Sequence, residues 1–500
     1  MSLPRLSLST WSTRAAQGLP DGVTGPSVDP ATLTVGQVHL GLGAFHRAHQ
    51  EVFTQDAIAA SGDTRWGVLG VTQRSTRVVD QLAPQDGLYG VLTLGEHETS
   101  LRLVGTLRAT ASPHRDTPQV VAAVAAPSTH VVTLTVTEKG YRRAPAGGID
   151  LADERTAADE QALARALAGH DDDTPTGTPV GLLLRGLAVR ARHDAGPLTV
   201  VCCDNLSDNG DAVRALVRSW LETVPGGARL QAWVDEQVRF PGTMVDRIVP
   251  ATTAANRARA AELLGLDDQG LVVGEPFRQW VIRDDFAGPR PPWELAGATF
   301  TDDVAPYERA KLRILNGSHS TLAYLGALRG YATIAAAVQD PELAAVLRDL
   351  TDHDVLPTLA SPPGLDLRAY RAEVLARFAN TNTGHRTVQV AMDGSQKLPQ
   401  RLLDTARDRI AAGAVPAGVA LAVAGWIAYV RAAAAGELVV EGRAVPLDDP
   451  LAAELAAATS GPLDGVVDKV FAMRAIVGDD LPEASSFRAA VLTALRTLAR

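Results

Sequence analysis

Two residue types are scarce in this 500-residue chain, and each scarcity excludes something. Only two cysteines occur, Cys202 and Cys203, adjacent in LTVVCCDN. They exclude a disulfide framework, and two cysteines cannot by themselves build a structural zinc site. Four of the 47 basic residues are lysine, at 139, 311, 397 and 469; the rest are arginine. Positive charge is also in deficit. The net charge of −10 repels phosphate backbones and argues against a nucleic-acid partner. Long apolar runs are missing too. The N-terminus has no continuous stretch of signal-peptide length. The longest apolar segment, Val415 to Val430, contains Pro416, Gly418 and Gly425 and falls short of the roughly 20 residues that span a bilayer. It reads as a buried core helix, so a soluble, cytoplasmic protein with no membrane partner is expected.

What is present is an ordinary globular composition, 46% hydrophobic and 21% charged, in a chain too long for one core. Residues 1 to about 34, rich in Pro, Ser, Thr and Gly, read as a leader draped over the surface. Apolar, β-branched runs follow at VGQVHLGLG, WGVLGVTQ, GLYGVLTLG, THVVTLTVTEKG and PLTVVCCDN, with helix-like TPQVVAAVAA and PVGLLLRGLAVRARHD between them. This alternation predicts an α/β domain with a largely parallel sheet. The acidic stretch DLADERTAADEQALARALAGHDDDTPTGTP reads as an insertion between sheet units. From about Asp302 onward, Ala/Leu/Arg-rich segments with helical periodicity dominate. The expected division is a Rossmann-type dinucleotide-binding domain over residues 1–295 and a mostly α-helical substrate or catalytic domain over 296–500.

The first strand runs into HLGLGAF, whose Gly41, Gly43, Ala44 and Phe45 form a candidate cofactor turn. Glycines there let backbone approach a pyrophosphate at a helix N-terminus. The third glycine of that pattern is replaced by His46. The acid that usually binds the ribose 2′-hydroxyl is absent from the end of the second strand, where Arg74 and Arg77 stand instead. Either they accept a 2′-phosphate, making NADP usable, or they are solvated surface charges. No HExxH or paired-cysteine spacing accompanies the histidines of HLGLGAFHRAH or TDHDV, so no metal is expected.

In PYERAKLRILNGSHSTLAYLGAL, an ideal α-helix places Glu308, Asn316 and His319 at about 60°, 140° and 80° from Lys311. All four then share one face: either a polar pocket or a solvated face with a Glu–Lys pair. The scarcity of lysine favours the pocket. Surface sites accept arginine equally well, whereas a titratable amine can lose its proton when buried and act as a general base. Glu138 with Lys139, Asp204 with Asn205, and Lys397 after a Gly-Ser turn also sit in polar, turn-like sequence.

HLGLGAFHRAHQ, VRFPGTMVDRIVP, EPFRQWVIRDDF and KLRILNGSHSTLAYLG together resemble the polyol-specific long-chain dehydrogenases, the family of mannitol 2-dehydrogenase and fructuronate reductase, over residues 36 to about 490. The resemblance implies metal-free hydride transfer between a secondary alcohol and a ketone, with NAD, or possible NADP, as cofactor. It implies that Lys311 is the general base, that Asn205 and Asn316 polarise the carbonyl, that His319 contacts a substrate hydroxyl, and that Glu308 exchanges protons with solvent. NAD-preferring members carry acids near Thr76 and Arg77. Mannitol-type members carry an arginine where Gln389 aligns; FANTNTGHRTVQVAMDGSQKLPQRLLD is similar instead to the fructuronate reductase branch, with His385 and Arg386. Thr381 and Gly384 depart from that branch, which usually has Pro and Arg there. An arginine can hold a uronate carboxylate bidentately. The expected substrate residues are therefore His385, Arg386, Lys397 and Asp246, and the expected reaction is D-fructuronate/D-mannonate interconversion. A hexitol or pentitol dehydrogenase such as mannitol 2-dehydrogenase is the runner-up, and a non-catalytic sugar or dinucleotide sensor a remote third.

Overall fold

Six short runs pair in parallel in the N-terminal half of the computed structural model: β1 (Val35–Leu40), β2 (Gly67–Val71), β3 (Leu107–Ala111), β4 (Val131–Leu134), β5 (Leu198–Cys202) and β6 (Val238–Arg239). The structure describes residues 3–73, 75–137, 140–144, 148–170 and 172–499; Arg74, Glu138 and Lys139 lie outside the described residues. Two compact units divide the chain, Met1–Val304 and Ala305–Arg500.

The strand order is β3-β2-β1-β4-β5-β6. The chain steps outward from β1 to one edge, returns to β4, and steps to the other edge. This is the doubly wound order of dinucleotide-binding sheets, which bind their ligand beyond the carboxyl ends of the two strands where the order reverses, here β1 and β4. Every residue of β2, β4 and β5 is buried, as befits a parallel sheet covered on both faces. Helix α1 (Ala44–Ala48) and helix α2 (Gln50–Ser61) follow β1, and α3 (Pro113–Ala125) follows β3. The crossover between β4 and β5 carries α4 (Glu154–Leu167) and α5 (Pro179–Arg192). Thr178 caps α5 and Pro179 occupies its first turn, while Val180, Leu183, Leu184 and Leu187 turn one apolar face to the sheet core.

Three expectations need correcting. The acidic segment read as an insertion contains α4, a helix capped by Asp153 that buries Ala162, Leu163 and Ala166 beside α5. Its Asp159 carboxylate accepts hydrogen bonds from Gly177 N–H (2.8 Å), Thr178 N–H (2.7 Å) and the Thr178 hydroxyl (2.6 Å). The run GLYGVLTLG does not join the parallel sheet. It forms Tyr89–Leu94, antiparallel to Thr99–Val104 in a separate four-stranded sheet. The connection between them is only residues 95–98, far below the dozen or so residues a parallel crossover needs. The leader is not a surface drape. Val23–Thr24 is the edge strand of that second sheet, Leu8–Ala16 is a helix, and Leu6 is fully buried with Leu88, Leu101 and Leu264.

The second unit is built of helices apart from one two-stranded hairpin among the described residues. Its central helix, Ala417–Ala434, is long and apolar enough by composition to cross a membrane, but most of it is buried, with Val419, Val423, Trp426, Ile427 and Val430 in the core. Ser485–Leu498 and Gly317–Leu328 pack against it.

Candidate active site

The glycine turn of the first unit is held rigidly from behind. Gly41 N–H and Leu42 N–H both donate to the Val71 carbonyl at the end of β2 (2.8 and 2.9 Å). Gly41 has φ +112°, and a Cβ there would lie 2.1 Å from the Thr135 carbonyl oxygen just beyond β4. Only glycine can occupy this place. The Gly41 carbonyl accepts from the Thr135 hydroxyl (2.9 Å) and faces His39 Nε2 at 3.0 Å, while His39 Nδ1 lies 2.7 Å from the Thr133 hydroxyl. Burial first, then His46, keeps His39 neutral by pushing its pKa well down. A neutral ring donating to Gly41 and accepting from Thr133 satisfies both contacts.

His46, standing where the dinucleotide pattern has its third glycine, stacks on His39 with ring centroids 3.2 Å apart. Its Nε2 lies 3.2 Å from Glu51 Oε1, and the Thr106 hydroxyl donates to the other oxygen. Burial lowers His46 to about 3 and raises Glu51 to about 7, so at neutral pH this is a hydrogen bond of a neutral imidazole rather than an ion pair. Buried Arg47 ties the turn further, with Nε donating to the Gly43 carbonyl (3.2 Å). The Cα of Gly43 faces open space: the nearest atom to a Cβ there is Gly41 O at 3.6 Å. Gly43 caps α1, and Ala44 and Phe45 open it half-buried. A rigid turn with accessible backbone at the switch point of the sheet suits a dinucleotide pyrophosphate.

At the end of β2, Thr76 donates to Asp80 (2.7 Å), and Arg77 is an exposed first residue of Arg77–Leu82. Asn205 is exposed just past β5. Its neighbour Asp204 is buried and accepts from Val136 N–H (2.9 Å), Thr137 N–H (2.8 Å) and the Tyr141 hydroxyl (2.6 Å), fastening the segment after β4 to the end of β5. Asp246 ends the strand Thr243–Asp246 and is buried.

In the second unit, the segment carrying the lysine is not a uniform α-helix. Ala305–Ala310 is α-helical, Lys311–Asn316 is a π-helical turn, and Gly317–Leu328 is α-helical again. Gly317 N–H donates to the Leu312 carbonyl five residues back. The expectation of four groups spaced at 100° per residue therefore fails across this turn. Its wider ring takes five residues per hydrogen-bonded loop, and such turns are frequent at functional sites. Lys311, Asn316 and His319 are all buried, and Glu308 is half-buried, so this face is not a solvated one. Gly317 allows the close approach: its Cβ would lie 2.8 Å from the carbonyl of Arg401, in a second π-helical turn, Pro399–Leu403.

His319 stacks on Phe378 (centroids 4.9 Å apart, 24° between planes) and meets His385 at 4.9 Å. Burial depresses the pKa of His319 strongly, followed by His385, Arg401, Lys397 and Arg377; His385 is lowered by burial and Lys397. Lys397 donates to the carbonyls of Met392 (2.5 Å) and Val390 (3.3 Å). Arg386 is half-exposed and directs its guanidinium to Glu441 (2.8 Å), which already answers its charge. The second unit thus groups His319, His385 and Lys397. Around them it adds Arg377, Phe378 and Arg401, which had not been singled out. Arg377 and Phe378 end an apolar-faced helix, where an arginine reads only as a partner of the helix dipole. Among the described residues, no group of three or more His, Cys, Asp or Glu is placed to hold a metal ion.

A doubly wound sheet with a glycine turn at its switch point, in one chain with a helical unit bearing buried lysine, asparagine and histidine, defines a dinucleotide-dependent oxidoreductase of secondary alcohols. More narrowly, the chain belongs to the mannitol dehydrogenase family: residues 35–295 match the mannitol dehydrogenase Rossmann domain, and residues 303–499 the mannitol dehydrogenase C-terminal domain. It is 39% identical to the D-mannonate oxidoreductase of Escherichia coli (strain K12) over 485 residues, 95% of this chain and 96% of the relative. It is 38% identical to the mannitol 2-dehydrogenase of Cereibacter sphaeroides over 84% of this chain and 86% of that one. The ternary complex of Pseudomonas fluorescens mannitol 2-dehydrogenase with NAD and D-mannitol superposes with a TM-score of 0.84 at 32% identity, covering 99% of this chain and 97% of that one.

Proposed function

We propose that the chain interconverts D-fructuronate and D-mannonate. The observation that carries this reading is the 39% identity to D-mannonate oxidoreductase along nearly the whole of both chains. The first unit is the NAD-binding domain and the second the substrate and catalytic domain. NAD, when bound, supplies or accepts the hydride. In the reducing direction the Lys311 ammonium gives its proton to the keto oxygen as the carbon receives the hydride. In the oxidising direction the neutral amine takes that proton from the alcohol. Asn316 donates an amide N–H to the same oxygen, where negative charge grows as the reaction proceeds. His319 holds a substrate hydroxyl, and Glu308, half-buried three residues before Lys311, passes the proton to solvent.

Mannitol oxidation is the second reading, favoured by the 38% identity to a mannitol 2-dehydrogenase and by the structural match to another. Following NADH consumption with D-fructuronate and with D-fructose side by side separates the two. Faster reduction of D-fructose overturns the uronate assignment. Lys311→Ala is expected to lose turnover by about 10²–10⁴-fold or more while still binding NADH. Near-wild-type turnover in that variant would sink the lysine mechanism.

A further inference from the structure

A β-branched residue stands in the left-handed backbone region at the ligand end of the parallel sheet. Thr137, three residues past β4, has φ +65° and is exposed. Glycine takes that conformation freely, whereas a residue branched at Cβ is among the least suited to it. Asp204, just past β5, enforces it. The buried Asp204 carboxylate accepts from Thr137 N–H (2.8 Å) and Val136 N–H (2.9 Å), and the Tyr141 hydroxyl donates to it at 2.6 Å. That hydroxyl lies 3.0 Å from Cys202 Sγ, so the carboxylate is itself held from the end of β5. The Thr137 carbonyl accepts from Gly140 N–H (2.9 Å). Both backbone polar groups of Thr137 are thus engaged within the protein, and what it offers outward is its side chain.

Strain of this kind persists only where the surroundings enforce it, and it gathers at sites that handle ligands. The place in the sheet narrows what the side chain meets. Thr135, two residues before Thr137, donates its hydroxyl to the Gly41 carbonyl (2.9 Å), so this segment adjoins the glycine turn. In doubly wound folds the pyrophosphate sits on that turn, and the adenosine-side ribose lies at the end of the second strand, here β2. The dinucleotide therefore runs from β2 past β1 toward β4, which is the next strand over, about 4.8 Å further on. The group bonded to the pyrophosphate on that side is the nicotinamide-side ribose. Its two adjacent hydroxyls suit a threonine hydroxyl, which both donates and accepts.

We propose that the Thr137 hydroxyl binds the nicotinamide-side ribose of NAD, and that Asp204 is a positioning residue that holds Thr137 in its left-handed conformation for that contact. This rests on the first unit being the NAD-binding domain and not on which sugar is reduced.

The test titrates the wild type, T137V, T137S and D204N with NADH, ADP-ribose and ADP, with thermal melting to check that each variant is folded. ADP-ribose keeps the second ribose and lacks the nicotinamide; ADP lacks both. T137V is expected to weaken NADH and ADP-ribose binding by about 3–10-fold, the worth of one neutral hydrogen bond, and to leave ADP binding within about twofold. T137S keeps the hydroxyl and should bind all three ligands like the wild type. D204N puts an amide nitrogen, which cannot accept, against a backbone N–H, and should lose NADH and ADP-ribose affinity while sparing ADP. Unchanged NADH and ADP-ribose affinity in T137V overturns the contact, and a loss on NADH alone overturns its assignment to the ribose. Equal loss on all three ligands shows general damage to the turn and overturns both. Wild-type binding in D204N overturns the positioning role. Should D204N not fold, Y141F, which frees the carboxylate on one side, decides that role by the same selective loss or its absence.

Discussion

Adding one carbon at Gly41 should damage both the fold and the cofactor turn, whereas the same carbon at Gly43 should damage only the turn. At Gly41 the new Cβ would meet Thr135 O at 2.1 Å and Thr135 C at 2.7 Å, both backbone atoms of the neighbouring strand's end, with the residue held at φ +112°. The left-handed conformation costs about 1–2 kcal/mol for an L-residue, and overpacking against backbone adds about 1–3 kcal/mol. Gly41→Ala is therefore expected to lose roughly 2–5 kcal/mol of stability. Relief by moving the turn would break the paired hydrogen bonds from Gly41 and Leu42 to Val71 O. At Gly43, φ is −96° and nothing lies closer to the added carbon than 3.6 Å, so Gly43→Ala should unfold within about 0.5 kcal/mol of wild type. Its methyl group would, however, project into the space through which a pyrophosphate approaches. Urea unfolding with and without NADH, together with NADH titration by fluorescence, measures both effects. Wild-type stability in Gly41→Ala would refute the steric argument. Wild-type NADH affinity in Gly43→Ala would refute the assignment of this turn to the cofactor.

Leu6→Ala should cost about 2–5 kcal/mol in urea unfolding, because Leu6 is fully buried in the core of the second sheet; a change under 0.5 kcal/mol would restore the draped leader. Glu51, raised by burial from 4.5 to about 7, keeps its proton in the native state across a range where the unfolded state has lost it. Wild-type stability therefore falls with rising pH through that window, by about 3 kcal/mol in all, and Glu51→Gln should gain that amount on the wild type between pH 4.5 and 8. A stability difference that stays flat with pH would show that Glu51 is not held protonated.

The parallel sheet was legible because its signals are local and repeated. Each β-branched run is followed by a helix-compatible stretch, and a doubly wound order follows from that alternation once the glycine turn marks the first strand. The misreadings come from places where composition and burial part company. Residues 1–34 have the Pro, Ser and Thr content of a surface segment, yet Leu6 is fully buried and Leu8 and Trp11 pack against the same core, which also holds Ala260, Leu264 and Leu266. The hairpin Tyr89–Leu94/Thr99–Val104 did carry a signal, its four-residue connection, which outweighs the general α/β pattern. The acidic segment was harder to read. Asp159 is buried as a carboxylate that accepts three hydrogen bonds from residues 177 and 178, and no periodicity announces such a partner.

Lysine scarcity pointed toward a special environment, and the three lysines among the described residues divide in an instructive way. Lys469 is exposed and donates to the Ser460 carbonyl, and Lys397 is half-buried against two carbonyls; Lys311 is buried in a π-helical turn. A helical wheel could not anticipate that turn, because it arises where Gly317 meets the backbone of Arg401 from a segment more than eighty residues away. The same limit explains Arg386. Adjacent to His385 in sequence, Arg386 lies on extended backbone and bridges Thr333, while the neighbouring His385 carbonyl accepts from Ile334 N–H. His385 meets His319, while Arg386 turns outward to Glu441. Arg377 and Arg401, charged neighbours that help hold His319 neutral, come from the end of one helix and from a π-helical turn 24 residues further on. Charge at this place is therefore assembled by tertiary contact, which is why residue spacing located the lysine and histidine but not the arginines around them.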